Sequence, residues 1–157
     1  MVENVPVKLV FYDSEPEIPV LGGPLYHGYK ALIDGQEDRC RAIICSFLAS
    51  VYASRPQEFF TERFVREICA ERKIQMPGNR LHTQKVILDE AVIRRFNRYH
   101  LPIAKGLLTV GFMRAKTTEP ITMTFRNGVY LLGDGKNRCS ILAALGWESI
   151  PEVEVSR

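Results

Sequence analysis

Residues 120–155, "PITMTFRNGVYLLGDGKNRCSILAALGWESIPEVEV", decide the fold. Ile121, Met123 and Phe125 alternate with Thr122 and Thr124, the two-residue period of a half-buried strand. Asn127-Gly128 then gives a hairpin, because a type I′ turn needs two residues that accept positive φ. The returning strand, "VYLLGDG", stops at two glycines. A short helix follows, with Ile141, Leu142 and Leu145 facing inward and Gly146 as its stop signal. "SIPEVEV" alternates again as a closing strand. Hairpin, loop, helix and strand in this order predict an α+β domain built on a small mixed sheet.

The loop between hairpin and helix carries the chemistry. In Gly133-Asp134-Gly135-Lys136-Asn137-Arg138, two cations stand in the first turn of a helix. That end already has unpaired N–H groups and a partial positive charge, so cations there repel unless an anion is present. The glycines permit a tight turn and close approach of a ligand to the backbone. Phosphate fits, with Arg138 offering a fork and Lys136 a point charge. Asp134 serves either as a helix cap or as the holder of a magnesium ion bridging to a nucleotide. The spacing is not that of a P-loop. The plainer reading is an ordinary strand-to-helix turn, with Asp134 as its cap and both cations solvated.

Outward from this segment, "VPVKLVFYD" predicts a first strand in which Val7, Leu9 and Phe11 alternate with Lys8, Val10 and Tyr12. Three prolines and Gly22-Gly23 in the next stretch forbid regular structure. A helical flank or insertion then occupies about residues 36–100. Its first helix carries Ile43, Ile44, Phe47, Leu48 and Val51, and Pro56 breaks it. Its second carries Phe60, Phe64 and Ile68. Thr83 caps a third whose inner face is Leu88, Val92 and Phe96 or Tyr99. "LPIAKG" marks the change from helix to sheet. We expect one domain over residues 1–157.

Totals narrow the class. A chain of 157 residues with 46% hydrophobic and 25% charged residues fits one globular core. No apolar run is long enough to span a bilayer, and the first residues lack the pattern of a secretory signal. A cytoplasmic protein with reduced cysteines is expected. Cys40, Cys45, Cys69 and Cys139 include no C-x-x-C pair, and His27, His82 and His100 stand alone without ligand spacing. Between Arg94 and Arg138 nine Lys/Arg face two acids, whereas the rest of the chain is net −4. A basic half is an electrostatic footprint for polyanions, which makes Arg94, Arg95, Arg98 and Arg114 candidate nucleic-acid contacts. Charge runs of this kind also occur as plain solvated faces.

The segment from Pro120 to Val155 resembles the signature region of the ParB/sulfiredoxin-like superfamily. There a hairpin leads to a D-G-x-x-R-type loop, a short helix ending in "LG", and a last strand containing "IP". Asp134, Gly135, Arg138, Leu145, Gly146, Ile150 and Pro151 stand in the matching places. The resemblance covers about a quarter of the chain. It implies that the loop binds the phosphates of a nucleotide, ATP with Mg2+ or another. It also implies that the segment before the hairpin faces the loop, which adds Arg114, Lys116, Thr117 and Thr118. Some relatives are nucleases, and plasmid fertility-inhibition (oncogenic suppression) factors are similar to this fold. The departures matter too. Sulfiredoxins carry a Cys and a His just before the Arg, where this chain has Lys136 and Asn137, so sulfinic-acid reduction is rejected. The box that marks partition proteins is missing.

Two functions follow as expectations. One is an enzyme that hydrolyses ATP or transfers its phosphate, with DNase action as a linked activity, directed against plasmid or T-DNA transfer. In it Asp134, Lys136 and Arg138 are catalytic. Gly133, Gly135, Lys136, Asn137, Arg138, Lys116, Thr117 and Thr118 bind the nucleotide. Glu119, Asp13, Glu15 and Glu17 are the carboxylates from which a general base would come. The other is a non-catalytic, nucleotide-switched module that binds DNA or a conjugation or secretion-system protein. Trp147 reads as a cover of the core.

Overall fold

The computed structural model describes residues 1–13, 18–54, 62–71, 73, 80–111 and 119–157. Its centre is a five-stranded mixed sheet in the order β1-β5-β3-β4-β2. β1 is Val2–Pro6, β2 Val10–Tyr12, β3 Thr122–Arg126, β4 Val129–Asp134 and β5 Ser149–Ser156. β3 and β4 form the expected hairpin, with φ of 52° at Asn127 and 82° at Gly128. β5 lies parallel to β3 and antiparallel to β1, and β2 lies parallel to β4. The expectation of an α+β protein with a mixed sheet holds.

The predicted first strand is two strands. Val7–Leu9 makes a 3-10 turn between β1 and β2, which sends them to opposite edges of the sheet. Val5, Val7, Val10 and Tyr12 are all buried, so the segment is apolar on more than one side and its simple alternation misleads.

Helices account for the other differences. α1 (Pro24–Ile33) lies where no helix was expected. Gly28 is there because a Cβ would stand 2.5 Å from Ile44 Cγ1 of α2 (Glu37–Ser54). Helix pairing at close range requires the missing side chain. α3 is Glu62–Glu71 and α4 is Arg80–Arg95, so Thr83 lies within a helix rather than at its cap. "LPIAKG" is helical as well, as part of α5 (Leu101–Val110). A π turn, Phe96–His100, joins α4 to α5, with the Leu101 N–H bonded to the Phe96 carbonyl. Pro102 has no N–H to give the preceding turn, and it sits directly after the π turn, in the first turn of α5. The uncertain inner face of α4 resolves to Phe96, while Tyr99 is exposed.

α6 (Lys136–Ala144) packs on α1 and α5 and ends at Gly146 with φ 87°. Ile141 and Leu142 are buried as expected. Leu145 and Trp147 are 44% and 43% exposed, so neither covers the core. One apolar cluster joins the sheet, α1, α2, α4, α5 and α6. Among the described residues no helix is long and apolar enough to cross a membrane.

Candidate functional site

β4 delivers the loop, and hydrogen bonding fixes its shape. The Asp134 N–H donates to Thr122 Oγ1 at 3.1 Å, and the Gly135 N–H donates to Asp134 Oδ1 at 2.8 Å. Gly135 adopts φ 99°, and a Cβ on it would lie 2.9 Å from Ile121 Cγ1. Only glycine meets both conditions without strain. The Cys139 N–H donates to the Gly135 carbonyl at 2.9 Å and closes the first turn of α6. Gly135 at the N-cap has no side chain to offer, so among the described residues the N–H groups of Lys136, Asn137 and Arg138 have no side-chain acceptor.

This helix end opens onto a cleft of about 1080 Å³. The loop from Gly133 to Arg138 makes one end of the cleft. Its apolar wall comes from α2 and α5, through Phe47, Val51, Ile103 and Leu107. Lys136 is exposed, as an anion-facing cation needs to be. Arg138 is engaged instead. It donates to the Glu119 carbonyl and stands 3.8 Å from Asp134 Oδ2, with its side chain 14% exposed. It ties the chain before the hairpin to the loop. Asp134 therefore accepts from the loop backbone through Oδ1 and faces Arg138 with Oδ2.

Of the other expected residues, Asp13 and Glu119 line the cleft, as does Arg95. The guanidinium of Arg95 lies 3.8 Å above the Tyr99 ring. Arg98 is exposed. Arg94 is paired with Glu71 and Glu90, which sets it apart from the cations facing solvent. Arg114, Lys116, Thr117, Thr118, Glu15 and Glu17 lie outside the described residues. Among the described residues no group of three His, Cys, Asp or Glu stands close enough to hold a metal ion. The four cysteines are free thiols, and burial pushes Cys139 up to about 12, so it is a packed thiol and no nucleophile.

Sequence reading missed the polar network under the loop. Asn137 is buried, and its Oδ1 accepts from the Tyr29 hydroxyl and, at 2.8 Å, from His100 Nδ1. Burial raises Tyr29 well above the usual phenol range, so its proton stays in place to be donated. Beside it the Tyr12 hydroxyl lies 3.0 Å from Ser140 Oγ, which donates to the Lys136 carbonyl at 2.7 Å. His100 is 5% exposed, and burial lowers its pKa to about 4, against the pull of the Asn137 hydrogen bond. It is neutral at pH 7. With Nδ1 donating, Nε2 carries a lone pair, and it has no partner among the described residues. A signal existed: Leu88, Val92, Phe96 and His100 recur every four residues, placing a histidine on an apolar stripe.

Comparison with known proteins finds no matching family model, no matching curated protein and no matching solved structure.

Proposed function

We propose that the cleft is a nucleotide-phosphate site and that the protein hydrolyses ATP or transfers its phosphate. The observation that carries this is the uncapped N-terminus of α6 opening, with exposed Lys136, onto a large cleft with an apolar wall. The three N–H groups and Lys136 offer fixed positive charge where phosphoryl oxygens gain negative charge, which is what phosphoryl transfer asks of a protein. The apolar wall suits the base and ribose. Asp134 is the carboxylate that would hold a magnesium ion arriving with the nucleotide, and that ion would neutralise phosphate charge. Arg138 acts here by holding the loop closed against the chain at Glu119.

The hairpin, loop, helix and closing strand follow one another as the ParB/sulfiredoxin-like resemblance implies, and this supports placing the domain in that fold. The resemblance extends the proposal to DNase action at the same cationic end and to a fertility-inhibition role against a conjugation or secretion-system protein and its DNA. One observation favours the non-catalytic, nucleotide-switched module as a second reading. Arg95 stacks on Tyr99 at the cleft, with exposed Arg98 near it in the same π turn, an arrangement suited to nucleic acid.

The test is calorimetric titration of ATP with magnesium into the wild type and Lys136→Ala, alongside phosphate release. Loss of one charge-assisted contact weakens binding about tenfold. Binding with turnover in the wild type, both reduced in the variant, is the expected result. Binding without turnover favours the switched module. Absence of binding, or equal binding in both proteins, overturns the phosphate site.

A further inference from the structure

Resting on that reading of the cleft, we infer that His100 is the proton acceptor of the site, with Asn137 and Tyr29 as its positioning residues. His100 forms part of the cleft wall together with the α6 N-terminus. Its side chain is almost wholly buried, and Nε2 is a buried nitrogen without a hydrogen-bond partner among the described residues. Folded proteins seldom leave such an atom unmet, and active sites are where they do. The remaining ring nitrogen is fixed: Nδ1 stands 2.8 Å from Asn137 Oδ1, an amide oxygen that can only accept. Nδ1 therefore bears the proton, and the free lone pair is on Nε2. An imidazole oriented through Nδ1 by a fixed acceptor, with a lone pair left on Nε2, is the arrangement general bases use.

The π turn explains how the ring reaches this place. Phe96 and His100 are both buried while Tyr99, whose ring meets that of His100 edge-on, is exposed. Asn137 lies in the first turn of α6, so the residue whose side chain holds His100 also presents a backbone N–H to the phosphate end. The groups around the ring are Tyr29, with its hydroxyl 3.3 Å from Nδ1, Tyr99 and Arg95. None of them is an acid that would compensate a positive ring, which a bound phosphate would do.

The step balances as follows. Nε2 takes the proton of an attacking water or alcohol while that oxygen bonds to phosphorus. The bond from phosphorus to the bridging oxygen breaks, and its electron pair leaves with the departing phosphate. The imidazolium then returns its proton to that phosphate and is neutral again.

The experiment compares wild type and His100→Gln for ATP binding and phosphate release, with nitrogen NMR of the wild-type histidines as a measurement that needs no variant. Turnover is expected to fall about 10²- to 10⁴-fold with ATP affinity within about threefold. The NMR spectrum is expected to show His100 neutral and protonated on Nδ1, with Nε2 shifting when a non-hydrolysable ATP analogue binds. Turnover in His100→Gln within about fivefold of wild type, or an Nε2-protonated ring, overturns the role of His100 and leaves the phosphate site standing. A wild type that binds no nucleotide overturns both.

Discussion

Acid should weaken the native state through His100, by an amount the buried ring sets. In the folded protein the ring protonates at about 4, and in an unfolded chain at 6.5. Between those values the unfolded chain holds the proton and the native state does not. Stability is thus complete above pH 6.5 and falls as pH drops toward 4. Each pH step inside the window removes about 1.4 kcal/mol, so the whole window removes about 3 kcal/mol. The loss would move the melting temperature by about 6–12 °C in a domain of this size. Carboxylates titrate at the lower end of the same window, so the measurement is a difference. Urea unfolding of wild type and His100→Gln at intervals from pH 7 to pH 4 gives two curves of stability against pH. They should converge by about 3 kcal/mol as pH falls, the wild type losing more. Parallel curves would refute a neutral, buried His100.

Gly135→Ala should destabilise by about 1–3 kcal/mol in urea unfolding, since it combines positive φ with a Cβ 2.9 Å from Ile121. Gly28→Ala should cost about 1–3 kcal/mol by overpacking against Ile44, and Ile44→Val should recover part of this in the double variant, a coupling that a mutant cycle measures. Asn137→Ala strands two buried donors, on Tyr29 and His100, and should cost about 2–4 kcal/mol by urea unfolding. Tyr29→Phe leaves the His100 bond intact and should cost about 1. Iodoacetamide at pH 8 should leave Cys139 unmodified in the native protein and alkylate it after denaturation, as read by mass spectrometry, because burial holds the thiol near 12.

The last third of the chain was legible because each of its elements obeys a local rule. A two-residue period, an Asn-Gly turn, a glycine before a helix and a glycine after it need no distant partner to be read. The elements that escaped are those whose residues answer to distant contacts. Gly28 has no visible reason until Ile44 is placed against it. Pro102 looks like a helix end until the π turn ahead of it is seen. β1 and β2 read as one strand because the 3-10 turn between them, Val7-Lys8-Leu9, keeps a strand's alternation of apolar and polar residues. In the site, the loop and Lys136 were visible as local chemistry. The pairing of Asn137 with His100 was not, since 37 residues separate them and nothing in either segment names the other.

That separation has a consequence for how the proposed site works. The loop from Gly133 to Arg138 belongs to the sheet, through Thr122 and Ile121, whereas His100 belongs to the α4–α5 rod. Arg138 fastens the loop to the chain at Glu119, and Asn137 fastens it to the rod. Asn137 does two tasks at once, because its backbone N–H stands in the anion-facing turn while its side chain sets the tautomer of the imidazole. A shift of the first turn of α6 on binding an anion would therefore carry the acceptor of His100 with it. A negative charge bound there would also raise the affinity of Nε2 for a proton, which burial and Arg95 suppress. Under the proposed function the ring would be a poor proton acceptor until a phosphate is in place, and a better one once the substrate supplies the charge that the protein withholds.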